Sequence, residues 1–301
     1  MLTQAVATYC RAGVWYVTLL MLSVAALACV YMLASRGHFE GLNMLELSRV
    51  GGIVWVGRPL LFLRSMTALC LLSTATLELH TSGYRSYFAA VPTPWYKIAL
   101  AAGEVTWLVS VVNDVALIVT KEYSMYYTTA NSLLVWLIVA TLAGASPVEA
   151  TLALSPHCQV AQLDLLVTCA AGDLVIGQVR RLLALICIVI GCNMVCFGVV
   201  RCCMRRPQSR VTSLLLSSGA KYLFLHDGRL VDEVYYLDRA SAAIAGLLTL
   251  RVGHVMYALD IKLWRLFPVS LPRTQHECPL RDAALPLCNL ERESSTPNTV
   301  H

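Results

Sequence analysis

Residues 13–33 read GVWYVTLLMLSVAALACVYML, twenty-one consecutive positions without a charge. A hydrocarbon core about 30 Å thick takes about 20 apolar residues in helical conformation, so this run alone is long enough to cross a bilayer. A cleaved signal peptide is the rival reading, because Ala26-Leu27-Ala28 fits a small-x-small cleavage site. The apolar run outlasts a signal core and continues past that site, which favours a retained helix.

Four further blocks of this kind follow. The expected spans are 59–79, 98–119, 128–145 and 182–200, with Leu45 to Val56 as a short helix resting on the membrane surface. Pro59 suits the first turn of a helix, where its missing N–H would have had no partner. Pro92-Thr93-Pro94 turns the chain ahead of the third span, and Ser146-Pro147 ends the fourth. The whole chain of 301 residues is 57% hydrophobic and 14% charged. Soluble domains carry about a quarter charged residues, so the composition argues for lipid as the solvent. The net charge of +5 has no aromatic-interleaved basic stripe with it, so nucleic-acid binding is not expected.

After Val200 the chain turns basic at Arg201-Cys-Cys-Met-Arg-Arg-Pro-Gln-Ser-Arg210. Residues 201–267 read as a small amphipathic module, with Asp238 capping a helix from Ala240 to Leu250. Val255 to Phe267 alternates like a strand, with Tyr257, Leu259, Ile261 and Leu263 sharing a face. The rival is a sixth span over 240–259, which would bury Arg251 and His254 at high cost. From Pro268 to the end the composition predicts a disordered tail. The expected fold is thus an all-α membrane bundle of five helices (1–200), or six, a small cytosolic α/β module (201–267) and a disordered C-terminal tail (268–301).

Lysine- and arginine-rich short loops stay cytosolic. The cluster at 201–210 therefore places the C-terminus in the cytosol and, through five spans, the N-terminus outside. Arg36, Arg49, Arg58 and Lys121 fall on the cytosolic side, against Arg11, Arg85, Lys97, Arg180 and Arg181 outside. The loop 147–181 then meets an oxidising compartment, where Cys158 and Cys169 are a candidate disulfide. Cys202 and Cys203, at the membrane boundary beside arginines, are candidates for S-palmitoylation. Those arginines also point to anionic lipid, or a protein partner, at the cytosolic face.

Ionisable groups inside spans need partners. Arg64 and Asp114 sit at matching depth in adjacent antiparallel spans and are expected to pair. Glu104, near the outer end of the third span, is an intramembrane carboxyl that either reaches outward or marks a polar path. Asn193 reads as an interhelical hydrogen bond, and the pairs Ala99/Gly103 and Ala140/Gly144 as close helix approaches. Cys192 and Cys196 share a helix face but lack the further ligands a metal needs. No catalytic motif is present, and no cofactor or metal is expected.

Several stretches resemble multi-pass membrane proteins of oomycetes such as Phytophthora. They are Gly57-Arg-Pro-Leu-Leu-Phe-Leu-Arg64, Ser73-Thr-Ala-Thr-Leu-Glu-Leu79, Glu104-Val-Thr-Trp-Leu108 with Asn113-Asp114, Gly219-Ala-Lys-Tyr-Leu223 and Tyr236-Leu-Asp-Arg-Ala-Ser241. The resemblance covers residues 50 to 267 and implies a membrane block followed by a small cytosolic module. It implies no activity. The reading is a non-enzymatic membrane protein for interaction or scaffolding, with a transporter or channel using Glu104, Asp114 and Arg64 as the alternative.

Overall fold

A computed structural model describes the chain except residues 1, 35–39, 91–92, 163–165, 205–215, 225–229, 232–233, 253–254, 271–283 and 287–301. Helix dominates the described residues, with small antiparallel sheets. Three helical runs, Gln4–Ala34, Trp95–Ala145 and Val179–Cys203, are long and apolar enough to cross a membrane. A fourth is added if the segments Leu47–Val56 and Arg58–Leu72, bent by 118°, act as one. The residues fall into two compact units.

The first unit holds Met1–Arg64, Trp107–Ser132 and Asn193–His301. It opens with α1 (Leu2–Ala34), whose buried positions Val17, Val24 and Ala28 are seven and four apart and therefore lie on one stripe. Leu19, Leu22, Val30 and Leu33 point the other way, each more than half exposed. A soluble protein rarely shows so continuous an apolar face to water. A one-turn helix, α2 (Gly41–Met44), leads into a π-helical segment, Leu47–Val56, and Gly57 at φ 90° turns the chain into α3 (Arg58–Leu72). Gly51 and Gly52 make the turn of π-helix thin enough to bury. A Cβ on Gly52 would stand 3.3 Å from the Trp107 ring and 3.4 Å from Leu61.

The middle run Trp95–Ala145 is not one straight rod. It comprises α4 (Trp95–Glu104), α5 (Thr106–Thr120), a 3₁₀ turn at Lys121–Tyr123 and α6 (Ser124–Ala145). Asn131 donates to Asn113 at 3.2 Å, although a straight helix would separate positions eighteen apart by about 27 Å. The chain therefore reverses at Lys121, whose φ of 42° is the mark of the turn. α5 and the start of α6 are antiparallel neighbours, in agreement with the expected third and fourth segments. The last long helix, α7, is Val179–Cys203.

The C-terminal residues build a module of α8 (Ser218–Leu223), strands β5 (Leu230–Val231) and β6 (Val234–Asp238), α9 (Arg239–Ile244) and a three-stranded meander, Leu247–Val252, Val255–Asp260 and Arg265–Ser270. A short strand, Ala284–Pro286, pairs with β6. Among the described residues this module has no separate core. Ile244, Leu247, Met256 and Phe224 pack with Val50 of the π-helix and Ala28 of α1 in one cluster. Tyr31 of α1 donates to the Thr249 carbonyl at 3.1 Å, and the Trp55 indole donates to Ala243 at 3.0 Å. The described residues of this module thus share their core with the helices.

The second unit holds Ser65–Thr106 and Leu133–Cys192. Its hairpins are β1 (Leu77–Ser82) with β2 (Arg85–Ala90), and β3 (Thr151–Gln162) with β4 (Leu166–Val175). The Trp136 indole donates to Ala99 of α4 at 2.9 Å. Ala75 donates to Ile176 and Gln178 to Ser73, which ties the end of α3 to the start of α7. Numbering the meander in chain order makes its strands β7, β8 and β9, and Ala284–Pro286 is β10.

Several expectations are corrected. The second segment does not stay helical to Leu79. α3 stops at Leu72, where the hydroxyls of Ser73 and Thr74 bond the Leu69 and Leu71 carbonyls, and Leu77 begins a strand turned by Gly83 at φ 62°. Its 15 residues span about 22 Å, short of a full crossing. A sixth helical span over 240–259 does not form. Asp238 caps α9 by accepting from Ser241 at 3.0 Å, as its position predicts, but the helix ends at Ile244 and β7 follows. The strand expected over Val255 to Phe267 stops at Asp260, and residues 261–264, with Ile261 and Leu263, turn the chain into β9; within β8, Tyr257 and Leu259 share the half-buried face and Met256, Ala258 and Asp260 the buried one. Loop 147–181 holds the β3–β4 pair, with β4 running through Ala170 to Asp173. β9 and β10 enter the expected tail, the rest of which lies outside the described residues.

Gly246 is the tightest joint in the module. It sits at φ 81°, and an added Cβ would approach Val54 Cγ1 to 2.6 Å and Ile261 Cγ1 to 2.9 Å. Gly144 by contrast has nothing within 4 Å of its virtual Cβ. Gly246→Ala should therefore destabilise the protein by about 2 kcal/mol or more, while Gly144→Ala is neutral or slightly stabilising. Melting of the detergent-purified variants measures both.

Candidate functional site

Charged and amide side chains collect at one place in the first unit. The π-helix supplies Arg49, α3 supplies Arg58, α5 supplies Asn113 and Asp114, and the start of α8 supplies Ser217 and Ser218. These line a cleft of about 70 Å³, floored by apolar Val50, Ile53 and Leu117. One water needs about 10–15 Å³ on this measure, so several fit.

Each polar group is held by a local reason. Glu46, one turn ahead of Arg49, accepts from its Nη1 with both oxygens at 2.8 and 3.0 Å. Burial pushes the Glu46 carboxyl upward in pKa, and the charge of Arg49 and its hydrogen bond pull it back. The same Nη1 donates to Thr129 at 2.9 Å, which fixes the π-helix to α6. Ser217, which lines the cleft, caps α8 by accepting from Ala220 at 3.3 Å.

Asp114 pairs with Arg58 at 2.5 Å, not with Arg64. Arg58 and Arg64 are six residues apart on α3, about 120° around the helix and about 9 Å along it. Only the first reaches Asp114. Arg64 is 8% exposed, donates to Thr18 of α1 at 2.8 Å, and lies 4.8 Å over the Trp107 ring. Span depth alone had favoured Arg64; the break at Gly57 brings Arg58 to the helix start and to Asp114 instead.

Behind the cleft, three helices meet on one carbonyl. Asn113 Oδ1 accepts from Asn131 of α6 and from Asn193 of α7. All three asparagines are at least 94% buried. Asn113 Nδ2 and Asn131 Oδ1 have no partner among the described residues, and the Tyr127 ring packs edge-on against Phe197. The interhelical role expected of Asn193 is met. Asn131 was missed, because a lone asparagine in an apolar helix carries no sign of its partner.

The remaining predicted residues fall elsewhere. Glu104 closes α4 in the second unit, half-buried. Cys158 is disulfide-bonded, and the residue opposite it in the β3–β4 ladder is Cys169. Cys202 and Cys203 are exposed free thiols in the last turn of α7, beside Arg201. Cys192 and Cys196 are half-buried and outside any disulfide, and no cluster of three metal-ligating side chains occurs among the described residues. Gly103 and Gly144 pack against nothing within 4 Å of a virtual Cβ, so the expected close approaches at these glycines are absent. Arg205, Arg206, Arg210, Cys278 and Cys288 lie outside the described residues.

The fold and cleft define the class: a helix-rich protein with several helices long and apolar enough to cross a membrane, and a compact polar cleft among them. No protein-family profile, curated protein or solved structure matches the chain.

Two outcomes follow from this geometry. In double-mutant cycles with Asp114→Asn, Arg58→Gln should couple by about 1 kcal/mol, and Arg64→Gln by no more than a few tenths. Asn113→Leu orphans two buried amides, so it should lower the melting temperature more than Asn193→Leu, which frees one acceptor site on an oxygen that keeps a second donor.

Proposed function

We propose that this chain is a multi-pass integral membrane protein with a non-enzymatic interaction or scaffolding role. It crosses the bilayer five times, the bent pair Leu47–Val56 and Arg58–Leu72 making one crossing together, with the N-terminus outside and the C-terminal module in the cytosol, in the plasma membrane or an endomembrane. The observation that carries the reading is the outward apolar face of the long helices. Leu33 of α1 is 82% exposed and Met194 of α7 66%, an arrangement stable among lipid tails and costly in water.

The module's role follows from its attachment. Its core is shared with Ala28 near the end of α1, and Tyr31 anchors the β7 backbone. That holds the module at the level where the helix leaves the hydrocarbon, where it meets headgroups and partners at the inner leaflet. The transporter reading would need Arg64 on the path with Asp114. Arg64 packs instead against Trp107 and Thr18, so no observation favours that path.

Intact cells treated with an impermeant thiol reagent after mild reduction test the orientation. Cys158 and Cys169 should be labelled, and Cys278 and Cys288 only after permeabilisation. The opposite pattern reverses the orientation. A purified chain that stays monomeric in buffer without detergent overturns the membrane assignment altogether.

A further inference from the structure

An antiparallel sheet with one face in the core alternates apolar and polar side chains, because its other face meets water. The β7–β8–β9 meander breaks that rule. Its inner face, with Leu247, Met256 and Ala258, belongs to the shared core. The register puts Leu248, Leu250 and Val252 of β7, Tyr257 and Leu259 of β8 and Leu266 of β9 together on the outer face. No charged residue falls on that face, and Leu250, Val252 and Leu266 are each more than half exposed. A continuous apolar patch of this kind marks a contact surface.

The turn 261–264, between β8 and β9, extends the same character. Trp264 is 83% exposed, and Leu263 is more than half exposed. Trp264 also sits at φ 52°, a left-handed conformation in which a bulky side chain is strained. The turn is braced from both sides. The Ile261 N–H donates to the Gly246 carbonyl at 3.1 Å, and the Lys262 N–H donates to Oδ1 of buried Asp260 at 2.8 Å. A strained turn that holds an indole in water gains nothing from it. At the boundary between headgroups and acyl chains the same indole is in the medium that tryptophan favours.

Three observations choose lipid as the occupant. The sheet is fixed to helical segments of the membrane block: Tyr31, near the end of α1, bonds the Thr249 carbonyl, and Gly246 stands between Ile261 and Val54, close to the bend that leads into α3. Among the described side chains the outer face offers one polar group, the Tyr257 hydroxyl. A protein partner would want about one hydrogen bond per 100–200 Å² of contact. Exposed Arg251 and Arg265 fall at opposite ends of the sheet and not on the face, where long basic side chains can reach headgroups.

We propose that the outer face of the β7–β8–β9 meander, with the turn at Leu263 and Trp264, lies flat on the bilayer surface and buries its apolar side chains among the lipids. The inference deepens the membrane reading above and rests on it.

The test uses the full chain in phosphatidylcholine vesicles and reads tryptophan fluorescence. The signal of Trp264 is the difference between wild type and Trp264→Phe. Leu250→Trp in the Trp264→Phe chain moves the reporter to the far end of the face, at another exposed position. Elements lying in an interface reach about 5–10 Å into it, so lipid brominated near the headgroup end of the acyl chain should quench both reporters more than lipid brominated near the chain terminus. Iodide, present on both sides of the vesicle, should quench neither.

Quenching of either reporter by iodide and not by brominated lipid overturns the proposal. Shielding of both from iodide and from lipid overturns it too, and is the result that a second copy seated on the face would give. Trp15 of α1, more than half exposed, separates this outcome from the membrane reading. Its signal, taken from Trp15→Phe, falls with brominated lipid if α1 lies in the bilayer. Lipid quenching of Trp15 without that of the two reporters removes the face and leaves the membrane assignment standing.

Discussion

The oxygen of Asn113 is the point on which the first unit turns. Hydrocarbon gives helices no reason to prefer one another over lipid, so polar contacts and packing have to decide which faces meet. One carbonyl that accepts from α6 and from α7 fixes both helices against α5 in rotation and in height. The salt link from the next residue, Asp114, then sets α3 against the same helix. Two adjacent side chains thus fix three neighbours, and the cleft is the space left between them.

The C-terminal module depends on a different kind of contact. Its residues could not bury enough apolar surface alone, and the chain solves this by sharing a core with α1 and the π-helix. Gly51 faces Ile244, and Gly246 sits between Val54 and Ile261, so backbone meets side chain on both sides of the joint. Such contacts tolerate little movement, because interiors of this density have no room to absorb it.

Much of the helical architecture was legible in composition, because uninterrupted apolar runs have one inexpensive environment. The long helices fall where 13–33, 98–119, 128–145 and 182–200 were expected, and Asp238 caps the helix it was assigned. Where reading failed, local and tertiary effects outweighed the oily character of the stretch. Leu77 and Leu79 extend the apolar run to Leu79, yet their alternation with Glu78 and His80, and Gly83 beyond, favour a hairpin. Val255 to Asp260 showed its strand period, but not which face would be covered, since both contain apolar side chains. The partner of Asp114 depended on a helix break at Gly57 that charge and depth do not reveal. Asn131 and the Arg49–Glu46 pair became meaningful only when distant segments met.

The β7–β8–β9 meander stands at the end of the module with β7 and β9 as its outer strands. β9 carries Pro268, opposite Tyr257 of β8, and proline is tolerated in a ladder where its nitrogen faces away from the paired strand. That leaves a gap in the row of outward donors, and Arg251 puts a charge on β7 at the other margin. A second chain approaching either border would meet a missing amide or a cation to desolvate. Crowded side by side, copies of this protein are thereby discouraged from knitting their sheets into a fibre.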